Sequence, residues 1–241
     1  MAEETPAIES LAQRARGRLD RELILDAAQA IADREGVSKM TMRRIGAELG
    51  ADPTAVYRHF RDKNELLVQL ADRLFGIGPE LDPALHWRET MKIEMRYGLN
   101  RYRRNPDLAL LLAAQPDDTP SLERIADREI GLLLRAGLTL EQATAFFQII
   151  ENHVVGTGLY YSLVESSADV RVTDPEAMRR AYALLPADEF PHAVAASPHL
   201  FPDFDESFDR ASDLILDAIE RTAEANTRPS VPSTPDDGAA S

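Results

Sequence analysis

Apolar residues along this chain recur at spacings of three and four, with no strand-like alternation, so the pattern predicts helices throughout. Leu23, Ile24, Ala27, Ala30 and Ile31 share one face of a first helix that Asp20 starts and Gly36 stops. Met42, Ile45 and Leu49 mark a short second helix, with Thr41 placed to cap it and Gly50 placed for a left-handed turn. Asp52 can cap a third helix that has Pro53 at its first position, where no amide donor is missed. Val56 and Phe60 then fall toward the core, leaving Pro53, Thr54, Tyr57, Arg58 and His59 outward. A fourth helix, opening at Asn64, carries Leu66, Leu67, Leu70 and Leu74 and ends near Gly76 and Gly78.

The remainder continues the helical period. Trp87, Met91, Met95, Leu99 and Tyr102 define one long amphipathic helix, with Arg101, Arg103 and Arg104 at its negative end. Leu108–Ala114 is a short apolar helix, Pro116–Pro120 a loop, and Leu122, Ile125, Ala126, Ile130 and Leu133 a helix closed by Gly137. Leu140–Ser166 is apolar on most sides. One stripe is Ala143, Phe147, Ile150, Val154, Gly158 and Tyr161; a neighbouring one is Phe146, His153, Gly156, Tyr160 and Leu163. Pro175–Leu185 reads as helix, residues 186–202 as irregular, and Phe204, Phe208, Ala211, Ile215, Ala218 and Thr222 as the seam of a last bundle helix. From Asn226 the composition is that of a disordered tail, and residues 1–12 carry no pattern. The excess apolar surface on 140–166 and 204–224 is either a homodimer seam or an intramolecular core.

Composition narrows the class. There are no cysteines, hence no disulfide framework and no thiolate metal site or nucleophile. No stretch reads as a signal peptide or a membrane span, so a cytoplasmic protein is expected. The net charge of −14 is unevenly placed. Residues 10–78 hold twelve Lys/Arg against ten Asp/Glu, whereas residues 79–241 hold fifteen against twenty-eight. Screening limits electrostatic reach to about 10 Å, so the cations near 43–63 matter more to a polyanion than the total does.

Two helices around a glycine turn, the second showing Thr, Tyr, Arg and His outward, match the needs of a major-groove reader. Thr54, Tyr57 and the other outward residues would meet base edges or phosphates. Thr41, Arg43, Arg44, Arg61 and Lys63 would hold the backbone on either side. Arg14, Arg16 and Arg18 form a basic arm that either touches DNA or is solvated. The run from Leu49 to Leu67 resembles the DNA-binding domain of the TetR family of bacterial one-component regulators. The matching residues are Gly50, Pro53, Tyr57, His59, Phe60 and Lys63; Ala51 and Asp52 depart mildly from the family pattern. The motif covers about residues 20–75 and does not extend into the rest of the chain.

That resemblance implies an all-α protein. An N-terminal three-helix helix-turn-helix DNA-binding domain at 13–76 would precede a larger helical ligand-binding and dimerisation domain at 80–225. It implies a homodimer through the last two long helices and a palindromic double-stranded DNA operator. Its function would be repression relieved by a small apolar or aromatic effector. Ligand contacts expected on this basis are Trp87, Met91, Met95, Tyr102, Phe147, Glu151, Tyr160 and Tyr161, each of which could equally be core. Glu151 and His153, polar within an apolar helix, either touch a ligand or are satisfied structural groups. No histidine lies in a metal-ligand spacing, and no serine elbow, P-loop or dinucleotide fingerprint occurs. Neither a cofactor nor catalysis is expected. Two rivals remain at this level, a regulator whose body binds protein rather than ligand and an all-α enzyme.

Overall fold

A computed structural model describes residues 19–114, 119–165 and 174–227 of the chain. The Arg14/Arg16/Arg18 arm, Ser166 and the tail from residue 228 lie outside these. All regular structure among the described residues is helical. In order the helices are α1 (Arg21–Glu35), α2 (Met42–Leu49), α3 (Pro53–Tyr57), α4 (Lys63–Gly76) and α5 (Trp87–Arg104). They are followed by α6 (Pro106–Ala114), α7 (Pro120–Arg135), α8 (Leu140–Glu165), α9 (Pro175–Ala183), α10 (Pro191–Ala196) and α11 (Phe204–Thr227).

Helix starts follow local chemistry. Side chains of Asp20, Thr41 and Asp52 accept the amides of Leu23, Arg44 and Thr54 at 2.9, 3.1 and 2.8 Å. α4 begins one residue earlier than its pattern predicts, because Asp62 rather than Lys63 caps it, accepting from the Glu65 amide at 2.9 Å. The stretch expected to be irregular contains α10 and a 3-10 turn at Ser197–His199, with Pro191 and Pro198 where a missing amide costs nothing. Nor does the last helix dissolve at Asn226. The Asn226 amide nitrogen donates to the Gly137 carbonyl at 3.0 Å and to Gln142 Oε1 at 2.8 Å, carrying α11 to Thr227.

One continuous core runs from α1 to α11. Its tightest approach is between α5 and α8. A Cβ on Gly158 would lie 2.5 Å from the Tyr102 Cβ, and one on Gly98 would lie 2.8 Å from Val154 Cγ1. The first of the two stripes predicted on α8 is therefore its buried face. On α11 the phase is one residue away from the expected seam: Phe208, Ser212, Leu216, Ile219 and Ala223 are buried, and Ile215 is only half-buried. The acidic flank of α11 lies along cations of α5, with Arg88 against Asp213, Asp217 and Glu220 and Lys92 against Asp213 at 2.7 Å. Much of the body's negative charge is thus locally balanced.

Candidate nucleic-acid interface and body cavity

The turn between α2 and α3 is built on two glycines. Gly50 sits at φ 61°, ψ 27°, the left-handed region where a side chain is disfavoured. Gly46 lies beneath the start of α3. A Cβ there would come within 3.1 Å of the Ala51 carbonyl and 3.3 Å of the Pro53 backbone. Val56 and Phe60 are fully buried and fix the rotation of α3, so Thr54, Tyr57 and Arg58 face outward, Tyr57 with 54% of its surface exposed. The Thr54 hydroxyl donates to Asp52 at 2.7 Å, and that bond, with the Thr54 amide, holds the Asp52 carboxyl below its usual range. Thr41 and Arg43 are exposed beside this face, and Pro53, His59 and Lys63 are half-buried at its edges.

Arg44 departs from the expectation. Its guanidinium bonds Glu35 Oε1 at 2.6 Å and Glu48 Oε2 at 2.7 Å, in a network that also holds Arg34. The two carboxylates, shared with Arg34, hold it against α1 and brace α2. A residue that the sequence pattern did not single out does more for the site. Arg21 of α1 donates to the His59 carbonyl, to Glu65 Oε1 at 2.8 Å and to Gln69 Oε1 at 3.3 Å, with its guanidinium 4.3 Å from the Phe60 ring centroid. It clamps the end of α3 to α1 and α4. The signal for it, one cation on the flank of a helix start, is too common to stand out.

The expected ligand residues do not converge on one cavity. Met95, Tyr102 and Glu151 line a space between α5, α7 and α8, together with Glu94, Gly98, Arg101, Ile125, Glu129 and Val154. Its volume is about 10 Å³, barely room for one water. Met91 is buried and Phe147 half-buried in the general core. Trp87 faces a separate crevice of about 280 Å³ with Leu81, Leu85, Leu132 and Arg135. Tyr161 packs on Phe204 with ring centroids 4.3 Å apart and the planes tilted by 50°, whereas Tyr160 is exposed, meeting Phe204 edge to face. Residues expected to share one pocket are thus spread over separate surroundings. His153 is structural: it stacks on Phe208 at 4.6 Å, and burial lowers its pKa.

Charge is the unexpected content of the central cavity. Glu94 and Glu129 are only 4% and 5% exposed. Arg128 bonds Glu94 Oε2 at 2.8 Å, but Glu94 Oε1 and Glu129 Oε2 have no hydrogen-bond partner among the described residues. Burial, reinforced by the charges of Glu151 and Glu94, pushes the Glu129 carboxyl up to about 8. Both glutamates interrupt apolar stripes, Glu94 beside Met91 and Met95 and Glu129 between Ile125 and Leu132. That interruption was the readable signal. The cavity also touches the DNA-facing half. Arg101 donates to the carbonyls of Phe75 and Ile77, the latter at 2.8 Å, at the end of α4, and Tyr102 packs on Phe75 with centroids 4.9 Å apart.

Two family descriptions match the chain. Residues 24–70 match "Bacterial regulatory proteins, tetR family", and residues 79–223 match "Tetracyclin repressor-like, C-terminal domain". The HTH-type transcriptional repressor DrrR1 of Streptomyces coeruleorubidus is 32% identical over 213 residues, covering 84% of this chain and 77% of that protein. Apo ActR from Streptomyces coelicolor superposes with a TM-score of 0.71 at 26% identity, covering 86% of this chain and 97% of ActR. ActR in complex with actinorhodin gives 0.70 at 25% identity, covering 85% and 98%.

Proposed function

Since the chain belongs to the TetR family of bacterial transcriptional regulators, we propose that it is a ligand-responsive repressor. In this reading it binds a palindromic operator as a homodimer and is released when a small organic effector, aromatic or largely apolar, enters its body. The observation that carries the reading is a single connected path. Thr54, Tyr57 and Arg58 stand outward on α3, Arg21 ties α3 to α4, and Arg101 and Tyr102 tie the end of α4 to the central cavity. A ligand that separates α5, α7 and α8 would move the groups on which α4 rests. The named repressor relative supports repression, and the ActR complex with actinorhodin supports an organic effector. Two α3 helices about 34 Å apart would meet successive major grooves, which requires a dimer.

In this reading Thr54, Tyr57 and Pro53 meet bases, and Thr41, Arg43, Arg58, His59 and Lys63 meet phosphates or base edges. Selection from random DNA, followed by titration at several salt concentrations, tests it. Failure to enrich any palindrome would sink the operator claim. Lys63→Ala is expected to weaken all sequences alike and to make the salt slope shallower by about one unit per site. An unchanged slope would remove Lys63 from the phosphate set. Arg21→Ala replaces none of the residues assigned to DNA contact, yet it is expected to cost about tenfold in operator affinity, about 1.4 kcal/mol, by freeing the His59 carbonyl and with it the end of α3. Retained affinity with normal helicity would show the clamp to be dispensable.

A further inference from the structure

We propose that the effector carries a protonated amine on a lipophilic aromatic frame, and that Glu129, flanked by Glu94 and Glu151, receives the ammonium in the cavity between α5, α7 and α8. This deepens the ligand-responsive reading above and rests on it.

The groups facing this space are Glu94, Arg101 and Tyr102 from α5, Arg128 and Glu129 from α7, and Glu151 from α8. Three carboxyl groups meet two guanidiniums, each bonded through its terminal nitrogens only, while the Nε of Arg101 and of Arg128 has no partner among the described residues. Arg128 is bonded to Glu94, and Arg101 donates to the α4 carbonyls. Among the described residues no cation is bonded to Glu129, whose Oε2 is buried without a partner there. A carboxyl buried without a partner stays protonated, and the complement that would let it ionise is positive charge with hydrogen-bond donors. Met95, Gly98, Ile125 and Val154 supply apolar wall, and Tyr102 an aromatic one. A hard divalent ion would need about six to eight oxygen ligands or retained water, for which this lining has neither groups nor room. An organic ammonium suits both the charge and the walls, and an anionic effector would meet three carboxylates.

Closure of the cavity makes the switch. A drug-sized ligand occupies about 300–1,000 Å³, so a space of about 10 Å³ must open for it. Opening parts α5 from α7 and α8, and α5 carries Arg101. The incoming cation also competes with Arg101 for the negative field of Glu94 and Glu151. Both effects loosen the hold on the end of α4.

Protonation fits the same picture. With its carboxyl pushed up to about 8, Glu129 is mostly protonated at neutral pH, so the empty core avoids a third charge. Ammonium binding favours the carboxylate and must expel that proton. Affinity for a permanent cation is therefore expected to rise about tenfold per pH unit up to about 8 and then to level. The sign for stability is opposite. The folded state keeps the proton where the unfolded chain, near the ordinary 4.5, has lost it, so stability from Glu129 is full below that value and declines as pH rises through 8.

Three probes of one ring size decide the matter: 9-aminoacridine as cation, acridone as neutral and acridine-9-carboxylate as anion. Each is titrated calorimetrically into the full chain and into Glu129→Gln at pH 8. The cation is expected to bind the wild type at least tenfold more tightly than either other probe. Glu129→Gln should lose at least tenfold for the cation, leave acridone within twofold, and melt at a higher temperature than wild type, which also verifies folding. If the neutral or anionic probe binds as tightly as the cation, or if Glu129→Gln keeps the cation affinity, the charge assignment is overturned. Binding by none of the three overturns it too. Failure of the underlying reading looks different: an operator complex that no compound in a broad effector library dissociates.

Discussion

Leu214→Glu is expected to convert the protein from dimer to monomer and to lower operator affinity by more than about 100-fold. Leu214 on α11 is 63% exposed, and Ile149, Tyr160 and Leu163 on α8 are 48%, 54% and 67% exposed. These four large apolar residues lie on the two long helices expected to form the seam. Ile149, Asn152, Gly156, Tyr160 and Leu163 follow one another by three and four along α8, all exposed in the protomer. Twofold symmetry places every substitution at the interface twice, so each buried carboxylate is introduced as a pair. An unpaired buried charge costs on the order of 3 kcal/mol, so two of them weaken association by about 6 kcal/mol, roughly four powers of ten in the dissociation constant. Ile215 would be a weaker choice, because α11 turns it partly toward its own core. Light scattering at micromolar concentration checks the state of both proteins. A monomeric wild type, or a variant that stays dimeric and binds DNA normally, would refute the seam.

Gly158→Ala is expected to destabilise the protein by about 1–2 kcal/mol, despite the usual gain from removing a helical glycine. The added methyl would stand 2.5 Å from the Tyr102 Cβ and 3.4 Å from the Leu99 carbonyl. Neither atom sits at the end of a flexible side chain, so α5 and α8 must move apart. Overpacking of this kind costs about 1–3 kcal/mol, against a gain of about 0.5–1 kcal/mol from reduced backbone freedom. For a chain of this size the net loss corresponds to a melting temperature lower by roughly 2–8 °C. Gly131→Ala on α7 is the control. Its new methyl meets only the Arg135 guanidinium at 3.7 Å, so stability should hold or rise slightly. Equal melting temperatures for the two variants would mean that α5 and α8 are not locked at this crossing. Because Tyr102 also packs on Phe75, Gly158→Ala should in addition weaken operator binding without touching any outward residue.

Much of the DNA-facing half was determined by the sequence alone, because its shape rests on interactions within four residues. Thr41, Asp52 and Pro53 fix helix starts, Gly50 fixes a turn, and the three-and-four spacing of Met42, Ile45 and Leu49 fixes a face. Each of these acts on its own stretch of backbone wherever the rest of the chain goes. On α8 the helical period drew two candidate stripes, and only contact with α5 selected the one that runs through Val154 and Gly158. Tertiary structure decided whatever depends on residues far apart in the chain. Arg44 is paired with Glu35 of the preceding helix, and Arg21 reaches the end of α3 from α1. Glu94, Glu129 and Glu151 become one site only because α5, α7 and α8 converge. Trp87 and Tyr160, expected beside them, are turned away by the same packing. The phase of α11 also shifted by one residue, since several of its faces are apolar and only contact with α5 and α8 selects the one that is buried. Periodicity states that a face will be covered; which side chains meet across the covering is settled by packing and charge among helices that the sequence leaves unpaired.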